Sequence, residues 1–214
     1  MTELGEIYRQ HHEKRRGEDY VLFGDKRGQF LKSRIGQSRQ ILDIGCRDGE
    51  LTRYYAEGNE VLGLDVDEQA LKRAEHKLGI KTKSLDLTGD WSGVVTGPFD
   101  VAVAAEVLEH LYYPEIVLGK IVAALTTDGI LLGSVPNAFS LANRVRLFRG
   151  QKRGTPLSDP THINHFSRTE LKTLLEKYFS EVYIYPLGRF AWLDWLWPGM
   201  FSFGLLFEAR RPRV

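Results

Sequence analysis

Short apolar runs alternate with amphipathic stretches through the middle of the chain. The runs QILDI, EVLGL and FDVAVA are apolar at most positions, which is typical of strands buried on both faces of a sheet. Residues 68–78 show apolar positions at helical spacing and are followed by Gly79, a helix-ending residue. This alternation predicts a parallel, doubly wound α/β sheet with helices on both faces. The predicted strands are 40–44, 60–64, 80–85, 99–104 and 130–135, and the predicted helices are 50–57, 68–78, 107–112 and 115–125.

The alternation stops after the fifth predicted strand. Residues 137–160 are polar, basic and rich in Gly and Pro. A helix then begins at Ser167, because Ser167 and Glu170 form a capping-box pattern, and strand-like runs follow at 182–185 and 203–209. We therefore predict one domain with four parts, which are an N-terminal helical cap at 1–37, a core at 38–136, a lid insertion at 137–166 and a C-terminal completion of the sheet at 167–214.

The composition narrows the class of protein. A chain of 214 residues is long enough for one domain with a single core, and its net charge of +1 creates no overall field that attracts nucleic acid or an anionic membrane. The single cysteine, Cys46, excludes an intramolecular disulfide, and we expect it to be a small buried residue. The N-terminus has no signal-peptide core, and no apolar run reaches the length of a membrane span. We expect a cytoplasmic protein, whose oligomeric state the composition leaves undetermined.

The stretch ILDIGCRDGEL joins a strand to a glycine-rich turn and the start of a predicted helix. Such a turn lets a ligand approach the backbone closely. It lacks the GxGxxG spacing, however, and Asp43 precedes it, where a carboxylate would repel a pyrophosphate. A ligand with a cationic end, such as an amino group or a sulfonium, fits better. Asp65, at the end of the second strand, suits hydrogen bonding to a ribose diol.

Four motifs resemble those of the class I S-adenosylmethionine-dependent methyltransferases. They are, in order, ILDIGCRDGELTRYY, VLGLDVD, LDL at 85–87 and FDVAVAAEVLEHL. The resemblance implies a Rossmann-like sheet of seven strands, six of them parallel and the last one antiparallel, with S-adenosylmethionine as the cofactor.

The same resemblance implies roles for individual residues. Asp43, Gly45 and Gly49 would shape the methionine end of the pocket, and Asp65 would hold the ribose hydroxyls. Arg47 departs from the usual glycine of this loop, and we interpret it as tolerated because the glycines on either side adopt the tight conformation. Val66 would pack on the adenine, Asp86 would accept from its exocyclic amine and Leu87 would line it. Glu106 is a further cofactor-binding residue that the resemblance implies.

Glu106, Glu109 and His110 would share one face of the helix predicted after the fourth strand, because they stand at i, i+3 and i+4. Two carboxylates and an imidazole can bind a divalent metal, and this set, with a later histidine such as His162 or His165, is similar to the metal site of small-RNA 2′-O-methyltransferases and ubiquinone-pathway O-methyltransferases. Family members with no known metal share the pattern, so we favour a site without metal. The candidate catalytic bases are His110, His162 and His165.

The predicted lid resembles that of methyltransferases acting on quinones, sugars and other small molecules. We expect Asn137 and Asn164 to contact the acceptor. Arg144 is one of five basic residues at 144–153, which would bind a phosphate or carboxylate of the acceptor if they are not simply a solvated helix face. The helical spacing of the apolar residues between these basic ones predicts an amphipathic lid helix.

Residues 190–201 contain three of the four tryptophans. They have three interpretations: buried core, a dimer contact, or a surface for peripheral membrane contact that admits an apolar substrate. Core packing is the interpretation we favour.

These observations predict a methyltransferase acting on a hydroxyl oxygen of a small molecule, apolar or anionic, such as a quinol, a glycan or a lipid-linked acceptor. One alternative is a cofactor-binding partner protein without turnover, since the DIGCRDG turn loosely resembles MetW-type proteins. Another is an RNA 2′-O-methyltransferase, although the low net charge disfavours nucleic acid.

Overall fold

The computed structural model describes residues 22–213, so residues 1–21 of the predicted N-terminal cap lie outside the described part. The strands are β1 (Gln40–Ile44), β2 (Glu60–Asp65), β3 (Lys81–Ser84), β4 (Phe99–Ala105), β5 (Leu125–Pro136), β6 (Phe179–Leu187) and β7 (Gly204–Pro212). The helices are α1 (Gly24–Ile35), α2 (Glu68–Leu78), α3 (Pro114–Ala124), α4 (Leu141–Phe148) and α5 (Arg168–Glu176). Within residues 22–213, no helix has the length and apolar character needed to cross a membrane.

The seven strands form one sheet in the order β3-β2-β1-β4-β5-β7-β6. The last strand along the chain, β7, inserts between β5 and β6 and runs antiparallel to both. The predicted Rossmann-like sheet, with six parallel strands and an antiparallel last strand, is therefore confirmed.

The chain divides into two compact units by its internal contacts. The first ends at Val103 and also contains Ala124–Thr126, and the second contains Ala104–Ala123 and the chain from Thr127 onwards. The four-part organisation expected from the sequence stays a prediction.

In the first unit, β1, β2 and β3 pair in parallel. Asp43 stands opposite Gly63, and Asp65 stands opposite Ser84. Because the carboxyl ends of parallel strands meet at one edge, both aspartates lie at the edge where ligands bind in such sheets. The helix α2 follows with the predicted bounds, since Asp67 caps it by accepting from two backbone amides and Gly79 ends it in a left-handed conformation.

In the second unit, β7 is the centre of the apolar packing. Phe207 and Phe179 are fully buried, and the facing side of α5 contributes Leu171 and Leu175. The predicted capping box of α5 is present, because the side chain of its N-cap serine accepts from the Glu170 amide while the Glu170 carboxylate accepts from the N-cap amide.

The helix predicted at 50–57 is wrong. Only a single 3-10 turn forms, at Thr52–Tyr54. The carbonyl of Tyr55 accepts from the side-chain amide of Asn59 at 2.7 Å, so this carbonyl is engaged by a side chain where a helix would use a backbone N–H. Arg53 and Ala56 do donate to the carbonyls of Gly49 and Thr52, four positions earlier, but the helical pattern does not continue beyond them.

The helix predicted at 107–112 is also wrong, since only the 3-10 turn Leu108–His110 forms there. The carbonyl of Glu109 accepts from the backbone amides of Ile163 at 2.8 Å and Asn164 at 2.9 Å. A helix would need that carbonyl for a residue four positions later. The later loop therefore diverts the segment from helical structure.

The Trp-rich segment is not core, contrary to the interpretation we favoured from the sequence. Trp192, Trp195 and Trp197 are all exposed, together with Phe190 and Leu196. The fourth tryptophan, Trp91, is buried.

Candidate functional site

The glycine-rich turn after β1 has the tight conformation that the sequence predicts. Gly45 and Gly49 have φ values of 72° and 80°, in the left-handed region that favours glycine. The amides of Gly45 and Cys46 both donate to the carbonyl of Leu64, at 2.7 Å and 3.1 Å. A side chain at position 49 would also begin 2.6 Å from a methyl group of Leu78. The turn is therefore held against β2, and Gly49 packs against the side chains of Leu78 and Ala74 in α2.

Arg47 corrects our interpretation of this turn. It has a φ of 51°, so residue 47 is itself left-handed and the flanking glycines do not absorb the whole strain. That conformation costs an L-residue on the order of 1 kcal/mol. The amide of Arg47 donates to Asp65 Oδ2 at 3.0 Å, and this charge-assisted bond offsets part of the cost.

Cys46 is a small buried residue, as predicted. Its sulfur fills the space above Gly63, where an added Cβ would lie 2.6 Å from Sγ. Burial raises the pKa of the Cys46 thiol well above its usual value, and the carboxylates of Asp43 and Asp65 add to the effect. A thiol in this state is not a nucleophile at neutral pH.

Asp65 joins the turn to the end of β2. Its Oδ2 accepts from the Arg47 amide, and its Oδ1 accepts from the Asp67 amide at 2.9 Å. Burial raises the pKa of the Asp65 carboxyl, although the two amides oppose that change. The side chain is only half-buried, and each carboxylate oxygen can accept a second hydrogen bond.

Asp43 is buried at the end of β1, where it accepts two hydrogen bonds. The hydroxyls of Thr52 and Tyr55 both donate to its Oδ2, at 2.6 Å and 2.7 Å. Burial raises the pKa of Asp43 from 3.8 to about 6, against the lowering effect of the two hydroxyls, and Asp65 raises it further. Asp43 therefore anchors the segment that follows the turn.

This raised pKa predicts that Asp43 makes the fold less stable as the pH rises. Between pH 4 and pH 6 the folded state holds a proton on Asp43 that the unfolded chain has lost, so the contribution to stability is present below 3.8 and disappears as the pH passes about 6. At ~1.4 kcal/mol per pKa unit, the difference amounts to about 3 kcal/mol. We expect Asp43→Asn to equal the wild type in unfolding free energy near pH 3.5 and to exceed it by up to that amount at pH 7.5.

Urea unfolding at several pH values measures this difference. Asp128→Asn, which changes an exposed carboxylate, is the matched control and should follow the wild type at every pH. A constant difference between the wild type and Asp43→Asn from pH 3.5 to 7.5 would contradict the prediction.

Asp48 is a candidate site residue that the sequence reasoning missed. The side chain is 2% exposed, and its buried Oδ2 has no hydrogen-bond partner in the described part of the chain. A buried carboxylate oxygen without a donor is costly, and a cationic or N–H-bearing ligand end would satisfy it. Only its place between Arg47 and Gly49 could have indicated this from the sequence. The turn therefore fits the cationic methionine end of S-adenosylmethionine.

The residues predicted for the adenine side follow β2 and β3. The amide of Leu85 donates to the carbonyl of Asp65 at 2.9 Å, which places Asp86 one residue beyond the point where the two chains pair. Asp86 is exposed, and its Oδ1 accepts from the amide and the hydroxyl of Thr88, both at 2.8 Å. Val66 and Leu87 are half-buried, as lining residues would be.

Glu106, in the second unit, begins the loop after β4. It has a φ of 58°. Its amide donates to the carbonyl of Ser134 in β5 at 2.8 Å, and its carboxylate accepts from the Ser134 hydroxyl at 3.0 Å. Because the segment is not helical, Glu106 does not share a helix face with Glu109 and His110.

Glu109, His110 and His162 come together instead. Each offers one ligand atom, and these atoms lie within 4.8 Å of one another. Glu109 is buried, its Oε1 is 3.9 Å from His110 Nε2, and the two imidazole rings meet edge to face with centroids 4.9 Å apart. The set can hold a divalent metal, and it includes His162, one of the two later histidines suggested for it, but not Glu106.

The hydrogen bonds of the two rings identify their tautomers. His110 Nδ1 is 2.9 Å from the carbonyl of Thr161, and His162 Nδ1 is 3.1 Å from the carbonyl of Pro156. A carbonyl only accepts, so Nδ1 carries the hydrogen and Nε2 is the unprotonated nitrogen of each neutral ring. Burial lowers the pKa of His110, and His162 lowers it further, against the raising effect of Thr161.

His165, the third candidate base, lies outside this set of three. It is half-buried, and its buried Nε2 has no hydrogen-bond partner within residues 22–213. Burial lowers the pKa of His165, and His162 and Lys152 add to that change.

The predicted acceptor-binding residues have mainly structural contacts. Asn137 is buried, and its side-chain amide donates to the carbonyls of Gly199 at 2.7 Å and Ser202 at 3.0 Å, which argues against substrate contact. The side-chain amide of Asn164 donates to the carbonyl of Leu111. Arg144 remains exposed, with one bond from Nε to a backbone carbonyl of the loop before α4.

Comparisons with known proteins agree with this fold. Residues 11–178 match a family model described as a methyltransferase domain. A solved S-adenosylmethionine-dependent methyltransferase from Archaeoglobus fulgidus aligns with 95% of this chain and 99% of its own, at a TM-score of 0.71 and 20% identity, which shows a shared fold.

Two curated relatives are similar in sequence. A ubiquinone biosynthesis O-methyltransferase of Thiobacillus denitrificans is 33% identical over 104 residues, which are 46% of this chain and 45% of the relative. A malonyl-[acyl-carrier protein] O-methyltransferase of Halalkalibacterium halodurans is 26% identical over 166 residues, 70% of this chain and 58% of the relative. The chain thus spans about half the length of these relatives.

Proposed function

Because this chain belongs to the class I S-adenosylmethionine-dependent methyltransferases, we propose that it transfers a methyl group from this cofactor to a hydroxyl oxygen of a small molecule. When bound, S-adenosylmethionine supplies an electrophilic methyl carbon on a sulfonium sulfur. Transfer then requires mainly that the acceptor oxygen is held in line with that carbon, in a site without water.

The first unit would bind the cofactor. Asp65 would accept hydrogen bonds from the ribose hydroxyls while it holds the turn in place through the Arg47 amide. The buried oxygen of Asp48 would accept from the ammonium group of the methionine end. Asp86 is exposed beside Leu87 and would accept from the adenine amine. Gly45, which is only half-buried and has no side chain, would leave room for the ligand, while Gly49 would keep the turn packed against α2.

The second unit would bind the acceptor. One observation supports a hydroxyl acceptor most directly: the Nε2 atoms of His110 and His162, which carry no hydrogen when the rings are neutral, lie beside the buried Glu109 carboxylate. A neutral imidazole can accept the proton that a hydroxyl loses. A divalent cation held by the same three residues would instead lower the pKa of a bound hydroxyl. The names of two relatives, both O-methyltransferases, support oxygen as well.

Methyl transfer with labelled cofactor tests the proposal. We expect S-adenosylmethionine and its demethylated product to bind in isothermal titration, and a label on the methyl group to pass to one of a panel of catechols, short-chain quinols and glycans. Label found only on nitrogen of the acceptor would refute the oxygen assignment. Binding without transfer to any probe, even with a co-purifying enzyme, would support a non-catalytic partner role.

A further inference from the structure

A patch of exposed aromatic and aliphatic side chains projects from the second unit. It consists of Phe190, Trp192, Trp195, Leu196 and Trp197, and we call it the tryptophan patch. The three tryptophans are 68%, 75% and 63% exposed. Two of them stand three residues apart in a 3-10 turn, where side chains at that spacing line up on one side. An exposed apolar cluster of this kind marks a contact surface.

Two buried polar side chains, Asp194 and Asn137, bind the backbone of the segment that carries this patch. The Asp194 carboxylate is buried and accepts from the amides of Gly199 and Phe201, both at 2.8 Å. These bonds fold the segment back on itself. The buried side chain of Asn137 then donates to the carbonyls of Gly199 and Ser202. These hydrogen bonds fix the backbone that carries the three exposed tryptophans.

The lid helix α4 continues the same surface. Its first amide, that of Leu141, donates to the carbonyl of Met200 at 2.8 Å, so the helix begins against the tryptophan segment. Leu141, Val145 and Phe148 lie on one helix face and are exposed, Phe148 by 93%. Because a helix has about 3.6 residues per turn, Arg144 lies on one side of this face and Arg149 on the other.

The charged residues of the chain segment that contains the lid helix are all basic. Residues 137–158 contain five basic residues and no acidic one. The single acidic residue of the Trp-rich segment, Asp194, is buried and engaged by backbone amides. A second copy of this chain would bring a like-charged surface against this one. An anionic phospholipid headgroup layer is complementary, since tryptophan rings settle at the membrane interface and arginines pair with lipid phosphates.

We propose that the tryptophan patch and the exposed face of α4 dock this protein on the surface of an anionic phospholipid bilayer. The aromatic rings and Phe148 enter the interface, while the flanking arginines contact the headgroups. This surface would place the protein where lipid-dissolved small molecules are concentrated. The inference rests on the exposed residues alone and does not require the proposed methyl transfer.

Binding of the full chain to vesicles tests this proposal. We expect it to sediment with vesicles of phosphatidylcholine containing phosphatidylglycerol, less with pure phosphatidylcholine, and less at high salt. Brominated lipids should quench the fluorescence of the three exposed tryptophans. The variant with Trp192, Trp195 and Trp197 all changed to Ala should bind at least about tenfold more weakly, and so should the Arg144→Gln, Arg149→Gln pair, which removes the flanking arginines.

Two matched controls change equivalent side chains elsewhere. Tyr112→Ala with Tyr113→Ala removes exposed aromatics outside the patch, and Lys81→Gln with Lys83→Gln removes the same charge from β3. Both pairs should bind vesicles as the wild type does. Lack of vesicle binding by the wild type, equal losses in the control pairs, or a tryptophan-dependent dimer that ignores vesicles would overturn the proposal. Lipid quenching of the wild type decides the question even if the triple variant fails to fold.

Discussion

Changing Asp65 to alanine is expected to weaken S-adenosylmethionine binding by at least about 100-fold. The carboxylate would lose two charge-assisted hydrogen bonds to the ribose, each worth roughly 1.5–3 kcal/mol, and every ~1.4 kcal/mol is a factor of ten in affinity. The substitution also frees the amides of Arg47 and Asp67, so the turn that the ligand approaches becomes less ordered. Isothermal titration with S-adenosylhomocysteine measures the loss.

The contribution of the ribose contact can be separated from that of the turn. The wild type should bind the 2′-deoxy analogue of S-adenosylhomocysteine more weakly than the parent compound, whereas Asp65→Ala should bind both alike. Asp90→Ala is the matched control, because Asp90, like Asp65, accepts from the backbone amide two positions later. It should leave the affinities for S-adenosylhomocysteine and for its 2′-deoxy analogue unchanged. If Asp65→Ala still distinguished the two ligands, Asp65 would not be the residue that holds the diol.

The second large effect is expected at His110. His110→Ala should lower the turnover of a hydroxyl acceptor by about 100- to 10,000-fold, the range for loss of a general base, while the affinity for S-adenosylmethionine changes by less than about twofold. His76→Ala, which removes an exposed histidine at the end of α2, is the control and should have normal turnover. Similar losses in turnover and cofactor affinity would indicate a structural role for His110.

A chelator distinguishes the two ways in which His110 could act. If it is a base, turnover survives EDTA, and His162→Ala has a smaller effect than His110→Ala. If Glu109, His110 and His162 hold a metal, EDTA abolishes turnover, added divalent cation restores it, and the two histidine variants are equally inactive. His110→Asn is a useful companion, since its side-chain amide can still donate to the Thr161 carbonyl and thereby preserve the loop.

The tertiary contacts also explain which of our sequence predictions failed. At 50–57 the segment is tied to Asp43 by the hydroxyls of Thr52 and Tyr55, and the Asn59 side chain takes the carbonyl that would extend a helix. The local sequence could not show the bonds to Asp43, because that residue lies in the preceding strand. A weak intrinsic preference for helix yields to such contacts.

The set of Glu109, His110 and His162 also shows that local spacing does not predict which side chains meet. The sequence placed Glu106 with Glu109 and His110 through helical spacing, but the amides of Ile163 and Asn164 hold the Glu109 carbonyl. That contact brings the loop of His162 to His110 and leaves Glu106 with Ser134. The spacing of His110 and His162 along the chain does not reveal this contact; only the resemblance to metal-dependent O-methyltransferases suggested it.

The sequence by itself determined the strands of the sheet, the bounds of α2, the capping box of α5 and the carboxylates at the ends of β1 and β2. These features depend on apolar periodicity and on residues within a few positions of each other, so a local pattern suffices to predict them. Only the tertiary structure decided the left-handed conformation of Arg47, the buried oxygen of Asp48 without a hydrogen-bond partner, the separation of Glu106 from Glu109 and His110, and the exposure of the tryptophans. Each of these depends on contacts between distant parts of the chain, or on their absence, and such contacts override local propensity.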